Sequence, residues 1–190
     1  MSVAALYIRS DSIYKSMPDV DAYDESRDAR SWPGGTPVIA HPPCGQWGRL
    51  RGMATRNLPV KSLAVLAVRR NSGVLEHPIG STLWKHCRLP RPGEVDKWGG
   101  WTLPVLQQWW GHRAEKATWL YIVGIKPHEL PPIPFVMGAA EYVVTTLKCD
   151  GKQRPELPRA EREATPPEFA KFLYLIAIKC SGTQVYKSPN

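Results

Sequence analysis

Short apolar runs recur along this 190-residue chain, and each is closed by a polar residue, a glycine or a proline that interrupts the pattern. Residues 3–8, 19–24, 37–40, 73–75 and 117–123 read as strands. Residues 61–70 (KSLAVLAVRR) instead carry apolar residues at helical spacing and end in two arginines, which suits the negative end of a helix dipole. Residues 168–179 (EFAKFLYLIAIK) repeat the helical pattern behind Pro166 and Pro167, which suit a first turn. Strands alternating with helices predict an α/β domain with a largely parallel sheet. The length fits a single domain over residues 1–190 with one sizeable core. Residues 126–158 are rich in proline and lack a period except around 142–147, so they read as a small insertion.

The third run raises a chemical question. Residues 38–45 read V-I-A-H-P-P-C-G. Proline cannot continue a sheet ladder, and it restrains the residue before it. The segment is therefore a strand end opening into a stiff loop with Cys44 at its tip. In open α/β sheets ligands gather beyond the carboxyl ends of the strands. Glu76, just after residues 73–75, falls in the same place. A thiolate that adds to carbon 6 of a pyrimidine turns carbon 5 into a nucleophile, and an acid on ring nitrogen 3 eases the addition. A nearby arginine would steady the base and lower the thiol pKa. Each residue also has a plainer role: Cys44 as a small buried hydrophobe, Glu76 as a loop ion pair.

Charge points to the class of partner. With 25 Lys and Arg against 17 Asp and Glu, the formal net charge is +8. An anionic partner is expected, nucleic acid first and nucleotides second. Arg49, Arg51 and Arg56 follow the cysteine loop and could hold phosphates beside a target base, or simply form a solvated basic face. Trp98, Trp101, Trp109 and Trp110 could stack bases, but core packing is the expectation for most of them. No apolar run reaches the length of about 18 residues that a membrane span needs, and the first residues lack a signal-peptide pattern. A cytoplasmic protein is expected. Cys44, Cys87, Cys149 and Cys180 form no CxxC pair, so independent reduced thiols are expected. His41, His77, His86 and Cys87 lack ligand-like spacing, and no metal is expected.

Four motifs, in order, resemble those of the cytosine-5 DNA methyltransferases. Pro42-Pro43-Cys44 resembles the family's Pro-Pro-Cys loop, which bears the nucleophile. Val74-Leu75-Glu76 followed by His77-Pro78 resembles its Glu-Asn-Val or Glu-Asn-Pro motif, whose glutamate contacts the cytosine ring. Gly111 to Lys116, leading into Trp119, is similar to its Gln-x-Arg-x-Arg motif and the strand behind it. Ala164-Thr165-Pro166-Pro167 is similar to its Asn-Ala-Val-Pro-Pro motif before a helix.

The resemblance implies a Rossmann-like methyltransferase-type fold and methylation of carbon 5 of cytosine in DNA, with S-adenosylmethionine as cofactor. In that reading Cys44 is the nucleophile, Glu76 the partner of nitrogen 3 and Arg113 an anchor. Asp24, Asp11 and Pro42 fall where the cofactor binds, Asp24 on its ribose, while Arg49, Arg51 and Lys116 face nucleic acid. Asp24 is otherwise a turn residue, and Arg113 a solvated one.

Departures from the pattern keep other functions open. The family's Phe-x-Gly-x-Gly loop is replaced by Arg9 to Lys15 without a glycine, so the usual first helix must be short or lost. The asparagine after the glutamate is His77, and the second arginine of the late motif is replaced by Lys116. Only about forty residues separate Gly124 from the last motif, too few for a full target-recognition domain. The compactness fits a minimal enzyme of bacteriophage type, acting in the host cytoplasm. The substrate could equally be a pyrimidine nucleotide or single-stranded DNA, with another one-carbon donor. A third possibility is an inactive relative that binds nucleic acid.

Overall fold

The computed structural model describes residues 2–43, 60–144 and 154–181. Six strands form one sheet: β1 (Val3–Leu6), β2 (Val20–Tyr23), β3 (Val38–Ala40), β4 (Gly73–Pro78), β5 (Trp101–Leu106) and β6 (Ala117–Val123). Their order is β2-β1-β3-β4-β6-β5. The pairs β1–β2, β1–β3 and β3–β4 are parallel, whereas β6 runs antiparallel to both β4 and β5. The result is an α/β fold with a mixed, mostly parallel sheet. Its strand order reverses at β1, with β2 on one side and β3 on the other, the kind of switch point that opens a ligand crevice.

Alternating side chains divide the core into two layers. On one face Val3, Ala5, Ile39, Val74, Leu120 and Ile122 pack with Phe169, Leu173 and Ile176 of α4 (Pro167–Cys180). On the other, Ala4, Leu6, Val38, Leu75 and Tyr121 pack with Ala64, Val65 and Val68 of α1 (Val60–Asn71). A helix α2 of one turn (Leu83–His86) and a short α3 (Arg159–Glu163) complete the helices of the described residues. Between β1 and β2 a 3-10 turn (Ile13–Ser16) stands in place of a crossover helix, as the short interval predicts.

Several boundaries differ from the sequence pattern, each for a local reason. β1 stops at Leu6 because Tyr7 takes a left-handed backbone, φ 61°. β4 extends past Leu75 through Glu76 and His77 to Pro78, because β6 supplies a ladder partner for all three residues. β5 carries Pro104 in its middle and does not read as a strand. It lies at the sheet edge, where a missing N–H is tolerated. Residues 126–144 and 154–158 hold one 3-10 turn (Pro127–Glu129) and the bridges Ala114–Tyr142 and Val143–Glu156, in keeping with an insertion.

Two features fix the strands that carry the site. Arg69, buried at the end of α1, bonds the Tyr121 hydroxyl at 3.1 Å and Asp96 at 3.1 Å, and lies 3.7 Å over the Trp98 ring. This cluster ties the connection before β5 to the sheet. Trp101 and Trp110 are core residues, the latter against Phe169 and Phe172. Gly73 opens β4 at φ 126°, and a Cβ there would overlap the Val38 carbonyl of β3. Gly73→Ala is therefore expected to cost at least about 2 kcal/mol, from backbone strain and steric overlap together. Chemical denaturation measures it, and an unchanged midpoint would contradict the close β3–β4 approach.

Candidate active site

Glu76 shares a sheet face with Val74 by strand alternation, His41 follows Ile39 on that face, and Thr118 precedes Leu120 on it. All three reach the carboxyl-end rim of β3 and β4, on the side covered by α4. The sequence places Glu76 in a loop beyond its strand; it lies within β4, opposite Leu120. That position holds its backbone in a ladder and makes its carboxylate a fixed group.

A continuous hydrogen-bonded chain runs through this carboxylate. The hydroxyl of Tyr14, wholly buried on the 3-10 turn after β1, lies 3.1 Å from His41 Nε2. His41 Nδ1 lies 3.1 Å from Glu76 Oε2. Gln107, at the end of β5, donates from Nε2 to Glu76 Oε1 at 3.0 Å and to Thr118 Oγ1 at 3.0 Å. An ionised carboxylate only accepts, so Nδ1 carries the proton that points at Glu76. In the neutral ring Nε2 then accepts from the Tyr14 hydroxyl.

Glu76 is only 9% exposed. Burial pushes its pKa up, but the His41 hydrogen bond and the positive charge of Lys116 outweigh this and bring it down to about 2. The group is a carboxylate at neutral pH. Two donors fill two of its roughly four acceptor positions, which leaves room for a ligand donor. Its neighbour His77 points to the opposite face and is buried; that burial, only partly offset by Glu76, pushes its pKa down to about 4.

The His77 shift has a testable consequence. A histidine whose folded pKa is depressed binds fewer protons when folded than when unfolded between pH 4 and 6.5. Stability is therefore full above about pH 6.5 and falls by up to about 3 kcal/mol as the pH drops to 4. His77→Asn is expected to flatten this limb of the stability–pH profile, measured by urea denaturation across that range. An unchanged slope would place the acid sensitivity elsewhere.

The other residues singled out in the sequence divide between this site and other surroundings. Lys116 is half-buried and close enough to act electrostatically on Glu76. Arg113 instead pairs with Glu161 of α3 at 2.8 Å, lies over Tyr142 and is half-exposed. The cation acting on Glu76 is Lys116, while Arg113 is engaged by Glu161. Pro42 is buried beside His41, and Pro43 is exposed. Asp11 is exposed and held in a double hydrogen bond by Arg9, at 2.8 Å each. Cys44, Arg49, Arg51 and Arg56 lie outside the described residues, as does Cys149.

Asp24 follows β2 at the expected place for a ribose ligand, but its carboxylate is engaged. Oδ1 accepts from the Ser26 amide at 3.0 Å, the Ser26 hydroxyl at 2.7 Å and the Arg27 amide at 3.0 Å, while Oδ2 pairs with Lys15. The side chain caps its own loop, and the Lys15 ammonium, then the Ser26 and Arg27 donors, hold it well below the usual carboxylate range. The residues as placed do not fit an S-adenosylmethionine ribose at Asp24.

Among the described residues no group of three or more His, Cys, Asp or Glu could hold a metal ion, and no helix is long and apolar enough to cross a membrane. A cavity of about 500 Å³ beside Trp109, Pro131, Pro134 and Lys171 is lined by none of the residues of the Glu76 chain. Sequence reasoning missed Tyr14 and Gln107 and considered His41 only as a metal ligand. The one available signal was His41 itself, a polar residue placed directly before the two prolines. No protein-family model, curated protein or solved structure matches the chain.

Proposed function

We propose that this protein modifies carbon 5 of a pyrimidine, cytosine in DNA, through a covalent adduct between Cys44 and carbon 6 of the ring, on a Rossmann-like methyltransferase-type domain. The observation that carries this reading is the fixed Glu76 carboxylate, bonded to His41, which stands three positions before Cys44 in the sequence. Two residues, Pro42 and Pro43, separate His41 from Cys44, so their Cα atoms are at most about 11 Å apart. The net charge of +8 suits a polyanionic substrate. If that substrate is duplex DNA, the base must leave the stack to reach the thiol.

The chemistry asked of the chain is addition across the ring. The Cys44 thiol loses its proton to water and its sulfur bonds carbon 6. The C5=C6 electron pair shifts to C4–C5, and the former C4=N3 pair takes up a proton at nitrogen 3. The adduct is ring plus thiol, with carbon 5 as the nucleophilic end of an enamine. Glu76 accepts a hydrogen bond from the new N3–H, and its charge stabilises the protonated edge. His41, backed by Tyr14, positions the carboxylate. The family resemblance implies S-adenosylmethionine as the one-carbon donor, but Asp24 does not fit it as placed and no step is derived through it.

A test that needs no donor follows from the same addition. The enamine takes a deuteron at carbon 5 in D2O, and loss of the original hydrogen with release of the thiolate returns labelled cytosine. The protein is expected to catalyse this exchange in DNA, read by mass spectrometry of the nucleosides. Absence of exchange in DNA and in nucleotides alike would overturn the proposal.

A further inference from the structure

Gln107 is 1% exposed, and its amide is locked. Both hydrogens of Nε2 are committed, one to Glu76 Oε1 at 3.0 Å and one to Thr118 Oγ1 at 3.0 Å. Thr118 directs its own hydroxyl hydrogen to the Lys116 carbonyl at 3.2 Å, which leaves its oxygen free to accept. Rotating the amide by half a turn would set Oε1 against the Glu76 carboxylate, replacing a hydrogen bond by repulsion. The surrounding network therefore assigns the two amide atoms. Oε1 has no hydrogen-bond partner among the described residues, although it is buried. A buried acceptor left without a donor is unfavourable, and beside a candidate site such a group suits a functional role.

Two acceptors are thus linked, the Glu76 carboxylate and Gln107 Oε1, the second carried by the amide whose nitrogen bonds the first. The ring edge that complements them offers two adjacent donors. Cytosine protonated at nitrogen 3 is such an edge, with N3–H beside the 4-amino group. Uracil and thymine offer N3–H beside the O4 acceptor, which would meet Oε1 with like polarity. We propose that Gln107 Oε1 accepts the exocyclic 4-amino group of the base and so restricts the site to 4-aminopyrimidines. This inference rests on the pyrimidine reading above and adds to it the residue that separates cytosine from uracil.

The experiment is carbon-5 deuterium exchange on paired oligonucleotides that carry cytosine or deoxyuridine at the same positions. The wild type is expected to favour cytosine by about 100-fold or more, since buried polar groups left unpaired by the wrong substrate discriminate strongly. Gln107→Met keeps the length of the side chain and removes the acceptor. It is expected to lower the cytosine-to-uracil ratio by about 10-fold or more, mainly by raising uracil exchange relative to cytosine. If both rates fall together and the ratio holds, Gln107 only positions Glu76 and the inference is overturned. Should the variant not fold, the wild type still decides, because equal exchange of the two bases overturns the inference alone. Exchange of neither base overturns the pyrimidine reading itself.

Discussion

Glu76→Gln is expected to slow carbon-5 exchange of cytosine by about 10²- to 10³-fold, the usual range for loss of one preorganised group that stabilises developing charge. The amide keeps the shape and most of the hydrogen bonds of the carboxylate. Its oxygen can accept from Gln107, and its NH2 can donate to His41 Nδ1 once the ring carries its proton on Nε2, which then donates to the Tyr14 hydroxyl. Folding is therefore expected to survive at neutral pH. What disappears is the negative charge that stabilises a protonated nitrogen 3. The same substitution removes a pH effect. A carboxylate whose folded pKa is about 2 against an ordinary 4.5 contributes stability that is full above 4.5 and is lost as the pH falls towards 2. The variant should lack that limb while retaining the one due to His77 below pH 6.5, which loses the Glu76 offset and extends below pH 4. Exchange at the wild-type rate in Glu76→Gln would remove the carboxylate from the mechanism.

The parts of this fold that are legible in the sequence are those whose local pattern and tertiary setting agree. Residues 117–123 and the helix behind Pro166 keep their predicted limits within a residue or two because apolar run, breaker and packing coincide. The sequence pattern of β4 ends early because Glu76 and His77 are polar, and only the antiparallel partner β6 explains why polar residues continue a strand there. β5 has no strand signal in the sequence because Pro104 argues against any strand except one at an edge, and edge position is a property of topology. The site divides in the same way. Glu76 has a sequence signal, since an acidic residue at a strand end, two residues before a proline, is unusual company for a core run. Gln107 and Tyr14 have none: each is an ordinary residue until a separate strand or turn brings it to the carboxylate. Arg113 and Lys116 are both cations near the start of β6, and spacing alone did not say that Lys116 acts on the site while Arg113 turns to α3.

Cys44→Ser is expected to reduce exchange to background. A hydroxyl at this position has a far higher pKa than a thiol and forms too little anion near neutral pH to add to a pyrimidine ring. The other cysteines of the described residues make poor substitutes. Cys180 is fully buried under the sheet, and that burial pushes its thiol up to about 12. Cys87 is half-buried, and burial raises its pKa despite the opposing charge of Arg69. A reactive thiol needs exposure and a lowered pKa together, and both residues lack the latter. Full exchange in Cys44→Ser would therefore point to Cys149 and void the Pro-Pro-Cys assignment. Stability of the variant separates the remaining alternatives. A thiol that serves chemistry contributes little packing, so thermal unfolding should move by no more than a few degrees. A large loss would mean that Cys44 is a buried structural residue. Wild-type protein that binds DNA with steep salt dependence but exchanges nothing, and Cys44→Ser protein that binds equally well, would together identify a nucleic-acid-binding domain. Exchange by the wild type, its loss in Cys44→Ser and an intact fold are the three results that the covalent mechanism requires at once.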